Sequence, residues 1–568
     1  MFSLQDYDLL IVSDLHLSEG RNPETKKVSL NEDFFFDEEF ARFLKYYMSN
    51  LQRKWHLIIN GDFMDFLQVV SPISPQYDRD FLEYLGVNTI ADALAQLSYD
   101  VDRPEYGLGS GEKETVYKLF KIMCGHQLFF EALAEFVAAG NIVSIGRGNH
   151  DVEFIYPGVR EQFLAQMQRV YKAKLKQDNP QSDTNHEQER FAQLCRSGAI
   201  RFIDWFYYEP NLIWIEHGNQ YDSINSFKYW LAPFLPNDSR VELPWGSFFV
   251  RYLFNQVELE APFADNIKPQ SRFIHWFLTR KTGLALRFLY GDGKYMLKKL
   301  GHAWRNVSQN SNDEHARQHT ERLKALATPT GPSVEQLLHL DQPGFRCVSV
   351  LEKPEGGWRL VRLATIVWPL SLLFLSLVLL SGFLGAFWIA IGVLLPIIPE
   401  HVAQPFEFFL QYLTANAIGA KLVYFVRWPS LFIFAILGGS YLINRLRRPS
   451  VEGFSTLANR AAEIGRLMNV PCVTMGHTHE VDLQVFENGT EYFNTGTWTK
   501  VFGEDEDRLL REESELVFLQ ITRQPDTSAK LLKWENGANE PRLVMLFEKP
   551  RKSIAILSSL KKLQNSRG

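Results

Sequence analysis

Cysteine is scarce in this chain: 4 residues in 568, at Cys124, Cys195, Cys347 and Cys472, with no Cys-x-x-Cys spacing. That excludes a disulfide framework and a thiolate zinc knuckle, and makes a reducing compartment the default. Excess positive charge is also missing. The formal net charge is -6, which argues against a nucleic-acid-binding face as the organising feature. The N-terminus has no basic n-region and runs through Asp6 and Asp8 into an apolar run, so no cleavable leader is expected. The length suggests two or three folding units.

What is present is a series of short apolar runs, each ending in Asp, Asn or His. Tyr7 to Val12 leads to Ser13-Asp14-Leu15-His16, and Trp55 to Asn60 leads to Gly61-Asp62-Phe63-Met64-Asp65. Asn141 to Ile145 precedes Gly148-Asn149-His150-Asp151, and Leu212 to Ile215 precedes Glu216-His217-Gly218. Pro471 to Met475 leads to Gly476-His477-Thr478-His479. Strands of α/β folds present their ligands at their carboxyl ends, so each run is read as a strand delivering side chains to one site. Continuing the last strand through the His-x-His pair would put both imidazoles on one face of an extended segment.

In this order the motifs resemble those of the calcineurin-like metallophosphoesterase family, with no ligand missing. The resemblance covers residues 1–220 and 450–500. It implies two divalent metal ions, one held by Asp14, His16 and His479 and the other by Asn149, His217 and His477. Two ions that close need a shared oxygen ligand, and Asp62 is the expected bridge. Imidazole, carboxylate and amide donors without thiolate lean toward Mn2+ or Fe2+, with Zn2+ as an alternative. Such a pair lowers the pKa of a bridging water and neutralises phosphoryl charge. His150 corresponds to the family's catalytic histidine, expected to protonate or hydrogen-bond the leaving oxygen with Asp151 orienting it. Asp65 is read as fixing a ligand's orientation, and Thr478 and Asn494 as structural.

Between and beyond the motifs, Asp33 to Met48 carries an apolar stripe at helical spacing, and His126 to Ala139 repeats it, with His126 read as a helix-start residue. Val159 to Lys176 is read as helix and Gln177 to Glu189 as a polar loop. Arg201 to Tyr208 and Leu212 to Ile215 form an expected strand pair. Asp482 to Phe486 and Glu491 to Phe493 flank Asn488-Gly489, which predicts a hairpin with a type I′ turn. Leu516 to Ile521 and Leu543 to Phe547 are expected strands.

The long stretch between His217 and Gly476 is not needed by the metal site. Phe227 to Leu289 interleaves aromatic and basic residues, as either a core with a solvated face or a surface at lipid headgroups. Asn306 to Gln336 reads as a solvated helix plus loop. The 36 residues from Leu363 to Ile398 carry no charged side chain, enough to cross a bilayer. Trp428 to Asn444 is a second candidate span, and Pro405 to Val426 is apolar with Glu407 and Lys421. A shared metal centre requires an even number of crossings, and two are expected. Arg359, Arg362, Arg445, Arg447 and Arg448 place the catalytic side in the cytoplasm.

The expected class is therefore α/β: a calcineurin-like mixed β-sandwich flanked by helices, interrupted by a long helical insertion with transmembrane segments. Residues 1–220 and 450–548 form one discontinuous catalytic domain, 221–360 a helical insertion acting as cap or membrane-docking region, 361–446 the transmembrane region and 549–568 a basic tail. The expected function is a phosphoesterase attached to the inner cell membrane, hydrolysing a phosphomonoester, phosphodiester or pyrophosphate bond of an amphipathic or lipid-linked substrate. Membrane lipid is the expected partner, with no role for nucleic acid. Within the family, hydrolases of the UDP-2,3-diacylglucosamine pyrophosphatase type share an early Asp-Leu-His-Leu run but carry arginine at the position of His150, which leaves their substrate as an alternative. A non-catalytic membrane scaffold retaining the fold is the alternative of a different class.

Overall fold

The apolar runs fold as strands whose two faces serve two cores. In β1 (Asp8–Val12) every residue is buried. Leu9 and Ile11 join one apolar cluster and Leu10 and Val12 another, the two-residue alternation of a strand covered on both sides. The computed structural model describes residues 4–259, 313–350 and 452–544, apart from short gaps, with a few isolated positions elsewhere.

The other strands are β2 (Trp55–Asn60), β3 (Ile142–Gly146), β4 (Ile200–Ile203), β5 (Phe206–Glu209), β6 (Ile213–Glu216), β7 (Cys472–Met475), β8 (Val481–Val485), β9 (Glu491–Thr495), β10 (Val501–Glu504), β11 (Leu510–Glu513), β12 (Val517–Thr522), β13 (Ser528–Glu535) and β14 (Glu540–Leu543). One sheet has the order β14-β13-β12-β1-β2-β3-β4, a second β5-β6-β7-β9-β8, and β10 and β11 pair separately. β1 to β4 run parallel, and β12 returns antiparallel beside β1. In the second sheet β6, β7 and β9 are parallel, with β5 and β8 antiparallel at its edges.

Leu9, Ile11, Ile58, Val517 and Leu519 of the first sheet share a cluster with Ile213, Ile215, Cys472 and Phe493 of the second, so the two sheets form a sandwich. Helices cover the outer faces. The helix Asp37–Ser49 buries Phe40, Phe43, Leu44 and Tyr47, a stripe at i, i+3, i+4 and i+7. Phe40 stacks on Phe129 of the helix Gln127–Ala138 at 4.1 Å between ring centroids. The helix Glu452–Met468 contributes Leu457, Ala461, Ile464 and Met468 to the cluster that holds Trp214, Val473 and Met475 of the second sheet.

Several sequence expectations are corrected at this level. Arg201 to Tyr208 is not one strand: it breaks at Asp204-Trp205, β4 joining the first sheet and β5 the second. The Asp204 carbonyl is taken by the Arg147 guanidinium, and the Trp205 indole N–H by Glu216. The polar stretch 177–189 is a loop only between Asn179 and Thr184, after which the helix Asn185–Arg196 begins and anchors itself by burying Phe191 and Cys195. The hairpin between β8 and β9 exists, but only Gly489 takes a positive φ (81°), so its turn is not type I′. β14 ends at Leu543, where the expected strand began.

The membrane part of the expected fold is also corrected. Among the described residues no helix is long and apolar enough to cross a membrane. The longest, Pro157–Asp178, buries one face and carries charged residues along the rest. The described helices of the insertion include Trp245–Phe249 and Asn255–Glu258, of 5 and 4 residues, and the charged Asp313–Leu326 and Val334–Asp341, of 14 and 8. Leu363 to Ile398, Pro405 to Val426, Trp428 to Asn444 and the tail 549–568 lie outside the described residues.

The chain divides into a unit of residues 1–354 with 453–568 and a second unit of 355–452. Much of the insertion thus belongs to the sandwich unit. Phe227, Trp230 and Tyr252 are buried there, so these aromatics of the stretch belong to a core.

Candidate metal centre

The parallel strands of both sheets end at one place. β1 delivers Asp14 and His16, β2 Asp62 and Asp65, β3 Asn149 and His150, β6 His217, and β7 His477 and His479. Hydrogen bonding between neighbouring strands continues past their ends. His16 N donates to Asp62 O (2.9 Å), Leu17 N to Phe63 O (3.0 Å) and Gly476 N to His217 O (3.0 Å). The loops are therefore held in register before any side chain is considered.

Asp14, His16, Asp62, His477 and His479 all have left-handed φ, between +48° and +69°. For a residue with a Cβ this costs on the order of 1 kcal/mol each. The expectation of a His-x-His pair on an extended segment is corrected here, because both histidines lie beyond the end of β7 in turning backbone. The turn separates their imidazoles. His479 groups with Asp14 and His16, and His477 with Asp62 and His217, the possible ligand atoms in each group lying within 4.8 Å of one another. A third group, His16, Asp62 and His150, overlaps both.

Asp62 sits between the groups, with Oδ2 3.1 Å from His217 Nε2 and 3.8 Å from His16 Nε2. His479 Nε2 is 3.4 Å from Asp14 Oδ1 and 3.0 Å from His16 Nε2. Asp14 also accepts from His477 N at 3.1 Å, which joins the β1 and β7 loops. His217 Nδ1 donates to Asn60 O at 3.0 Å, so the proton is on Nδ1 and Nε2 faces Asp62.

Asp14 and Asp62 are buried, and among the described residues no Lys or Arg pairs with either. Burial raises the Asp14 carboxyl, and the neighbouring Asp62 adds to it. Burial would raise Asp62 too, but His217, His150 and His16 together hold it well below the usual carboxylate range. The Asn149 side-chain oxygen is buried without a hydrogen-bond partner. Adjacent buried carboxylates without a lysine or arginine, an imidazole nitrogen turned toward them and an orphaned amide oxygen together fit a divalent cation pair. Asp14, His16, Asp62 and His479 would hold one ion, and Asp62, Asn149, His217 and His477 the other.

His150 is more open than the buried candidate ligands Asp14, His16, Asp62, Asn149 and His217, as are His477 and His479. Its N–H donates to Asp62 Oδ1 at 2.8 Å, and its Nδ1 is 2.5 Å from Asp65 Oδ2. Asp65 also reaches His16 Nδ1 at 3.3 Å and accepts from the Leu67 and Gln68 N–H groups. The expected partner of His150, Asp151, is engaged elsewhere. Its oxygens accept from Gly148 N (2.6 Å) and Phe63 N (2.8 Å), tying the β3 loop to the β2 loop. Burial, followed by the charge of Asp62, pushes Asp151 up to about 6.

Asn494 Nδ2 donates to Gly476 O and Thr478 Oγ1, a structural role for both side chains. His126 stands apart, held by Glu32 and Asp37. One polar neighbour of the site was not foreseen: Asp222, whose Oδ2 is 3.1 Å from His477 Nε2. Its only sequence signal is a position five residues after His217, in a turn-rich stretch. No family model, curated protein or solved structure matches this chain in the comparisons made with each.

Proposed function

We propose that this protein is a metal-dependent phosphoesterase with a dinuclear centre, of the calcineurin-like kind that its motifs resemble. The observation that carries the proposal is the convergence of Asp14, His16, Asp62, His217, His477 and His479 on one site, with Asp62 common to two ligand groups. Nitrogen and oxygen donors without a thiolate suit Mn2+ or Fe2+, with Zn2+ as the competing occupant. When bound, such ions supply Lewis acidity that activates water near neutral pH and neutralises charge on phosphoryl oxygens.

The chain's own residues do the rest. With Nδ1 of His150 engaged by Asp65, Nε2 is the nitrogen that hands a proton or hydrogen bond to the departing oxygen. Asp65 binds both His16 and His150, and so couples the geometry of a metal ligand to that of the proton donor. Asp151 and the Gly148 N–H keep the β3 loop closed against Asp62.

Metal analysis of purified protein should find two divalent ions per chain, and bis-p-nitrophenyl phosphate should be hydrolysed with Mn2+ present and not after chelation. Folded, active protein free of transition metal would end the proposal.

A further inference from the structure

His477 is a ligand candidate with one ring nitrogen already engaged. Its Nε2 lies 3.1 Å from Asp222 Oδ2. Asp222 is itself fixed on several sides. Its Oδ1 accepts from Ile224 N at 3.0 Å, its Oδ2 accepts from Asn225 Nδ2 at 2.7 Å, and its own N–H donates to Asn219 O at 3.1 Å. The returning end of the insertion braces the same turn, with Cys347 N donating to Gln220 O and Val350 N to Ser223 O, both at 2.9 Å. A carboxylate held this firmly selects one tautomer and one ring rotation for the imidazole it meets.

We infer that Asp222 is the positioning residue of the second metal site: it accepts a hydrogen bond from His477 Nε2–H, so that Nδ1 is the nitrogen offered to the ion. The inference rests on the metal centre proposed above and adds to it a residue outside the motifs. It also gives the insertion a part in that centre, because Cys347 and Val350 hold the turn that carries Asp222.

A removed positioning carboxylate weakens metal binding by about 10- to 100-fold. The test is a Mn2+ titration of full-length wild type, Asp222→Ala, Asp222→Asn and Asp222→Glu, followed by electron paramagnetic resonance, with thermal denaturation of each chain in chelator. The expected result is that Asp222→Ala binds one of two Mn2+ ions about 10- to 100-fold more weakly and the other at parent affinity, and that Asp222→Glu recovers part of the loss. A merely structural role would lower the melting temperature in chelator without favouring one site. Two sites of parent affinity in Asp222→Ala would overturn the inference, as would equal weakening of both. If the alanine chain does not fold, Asp222→Asn decides by the same readout: selective weakening supports the inference, and parent affinity at both sites overturns it. Wild type that binds two ions with variants that match it removes this inference alone, whereas wild type that binds none removes the metal centre as well.

Discussion

At His150 the distinction between binding and chemistry can be drawn one residue at a time. Asp62→Ala removes the shared oxygen ligand, so occupancy of one or both ions should be lost. His150→Ala should keep both ions and lose rate, on the order of 10² to 10⁴ for a missing general acid. Elemental analysis beside steady-state kinetics separates the two outcomes. Asp65→Asn should follow His150→Ala in rate, whereas Asp151→Asn should act on stability, since Asp151 clamps backbone N–H groups. A second residue-scale prediction concerns His126. Burial opposes its charge, but Glu32 and Asp37 outweigh burial and push its pKa up to about 10. The folded value exceeds the unfolded value of about 6.5, so its stabilisation is complete below that pH and is lost as pH rises toward 10. His126→Gln should therefore be less stable by on the order of 3 kcal/mol at pH 6, with a deficit that shrinks in alkali. Urea denaturation across pH checks this, and a deficit independent of pH would refute the assignment.

At the scale of the element, the strand ends matter more than the strands. Gly148 leaves room for Asp62: a methyl group there would overlap the Asp62 carboxylate and its backbone nitrogen. Gly148→Ala should fold with its strands intact and lose metal, as read by metal stoichiometry beside circular dichroism. Gly489 provides the contrast. Unlike Gly148 it has a positive φ, but nothing crowds a side chain there, so Gly489→Ala should cost about 1–2 kcal/mol and leave the metal in place. The strands leading to the site were legible because apolar runs of four to six residues with turn chemistry at each end have few other solutions, whereas β10, β11 and β13 were not foreseen. The break at Asp204-Trp205 was not legible, since apolar and aromatic residues lie on both sides of a point where Arg147 and Arg160 hold Asp204 and Glu216 holds the Trp205 indole. The helix Asn185–Arg196 was missed for the opposite reason, as two anchors in a polar segment make a weak stripe.

At the scale of the molecule, the candidate metal centre draws its side chains from both ends of the chain. Residues 1–354 and 453–568 make one compact unit. Within it Gln336 Nε2 donates to Leu467 O and Arg460 to Gly344 O, both at 2.7 Å, so the two stretches flanking the second unit approach one another. Replacing residues 355–451 by a flexible linker of about 15 residues adds little closure entropy. That chain should fold and bind two ions, and loss of metal from a folded deletion chain would show that the removed residues take part in the centre.

The sequence by itself determined which residues could carry chemistry and in what order. Each ligand candidate follows a strand-like run, and the spacing of Asp14 with His16 and of His477 with His479 is visible without coordinates. It determined the sandwich to the extent that runs buried on both faces demand cover on both. It did not determine that His477 and His479 part to different groups, that Asp65 and not Asp151 orients His150, or that Asp222 meets His477. Those choices depend on left-handed backbone at Asp14, Asp62 and His477 and on contacts between residues hundreds of positions apart. Local pattern records what a residue can do. The direction in which it does so is set by the packing of strands and loops that only the closed fold brings within a few ångströms.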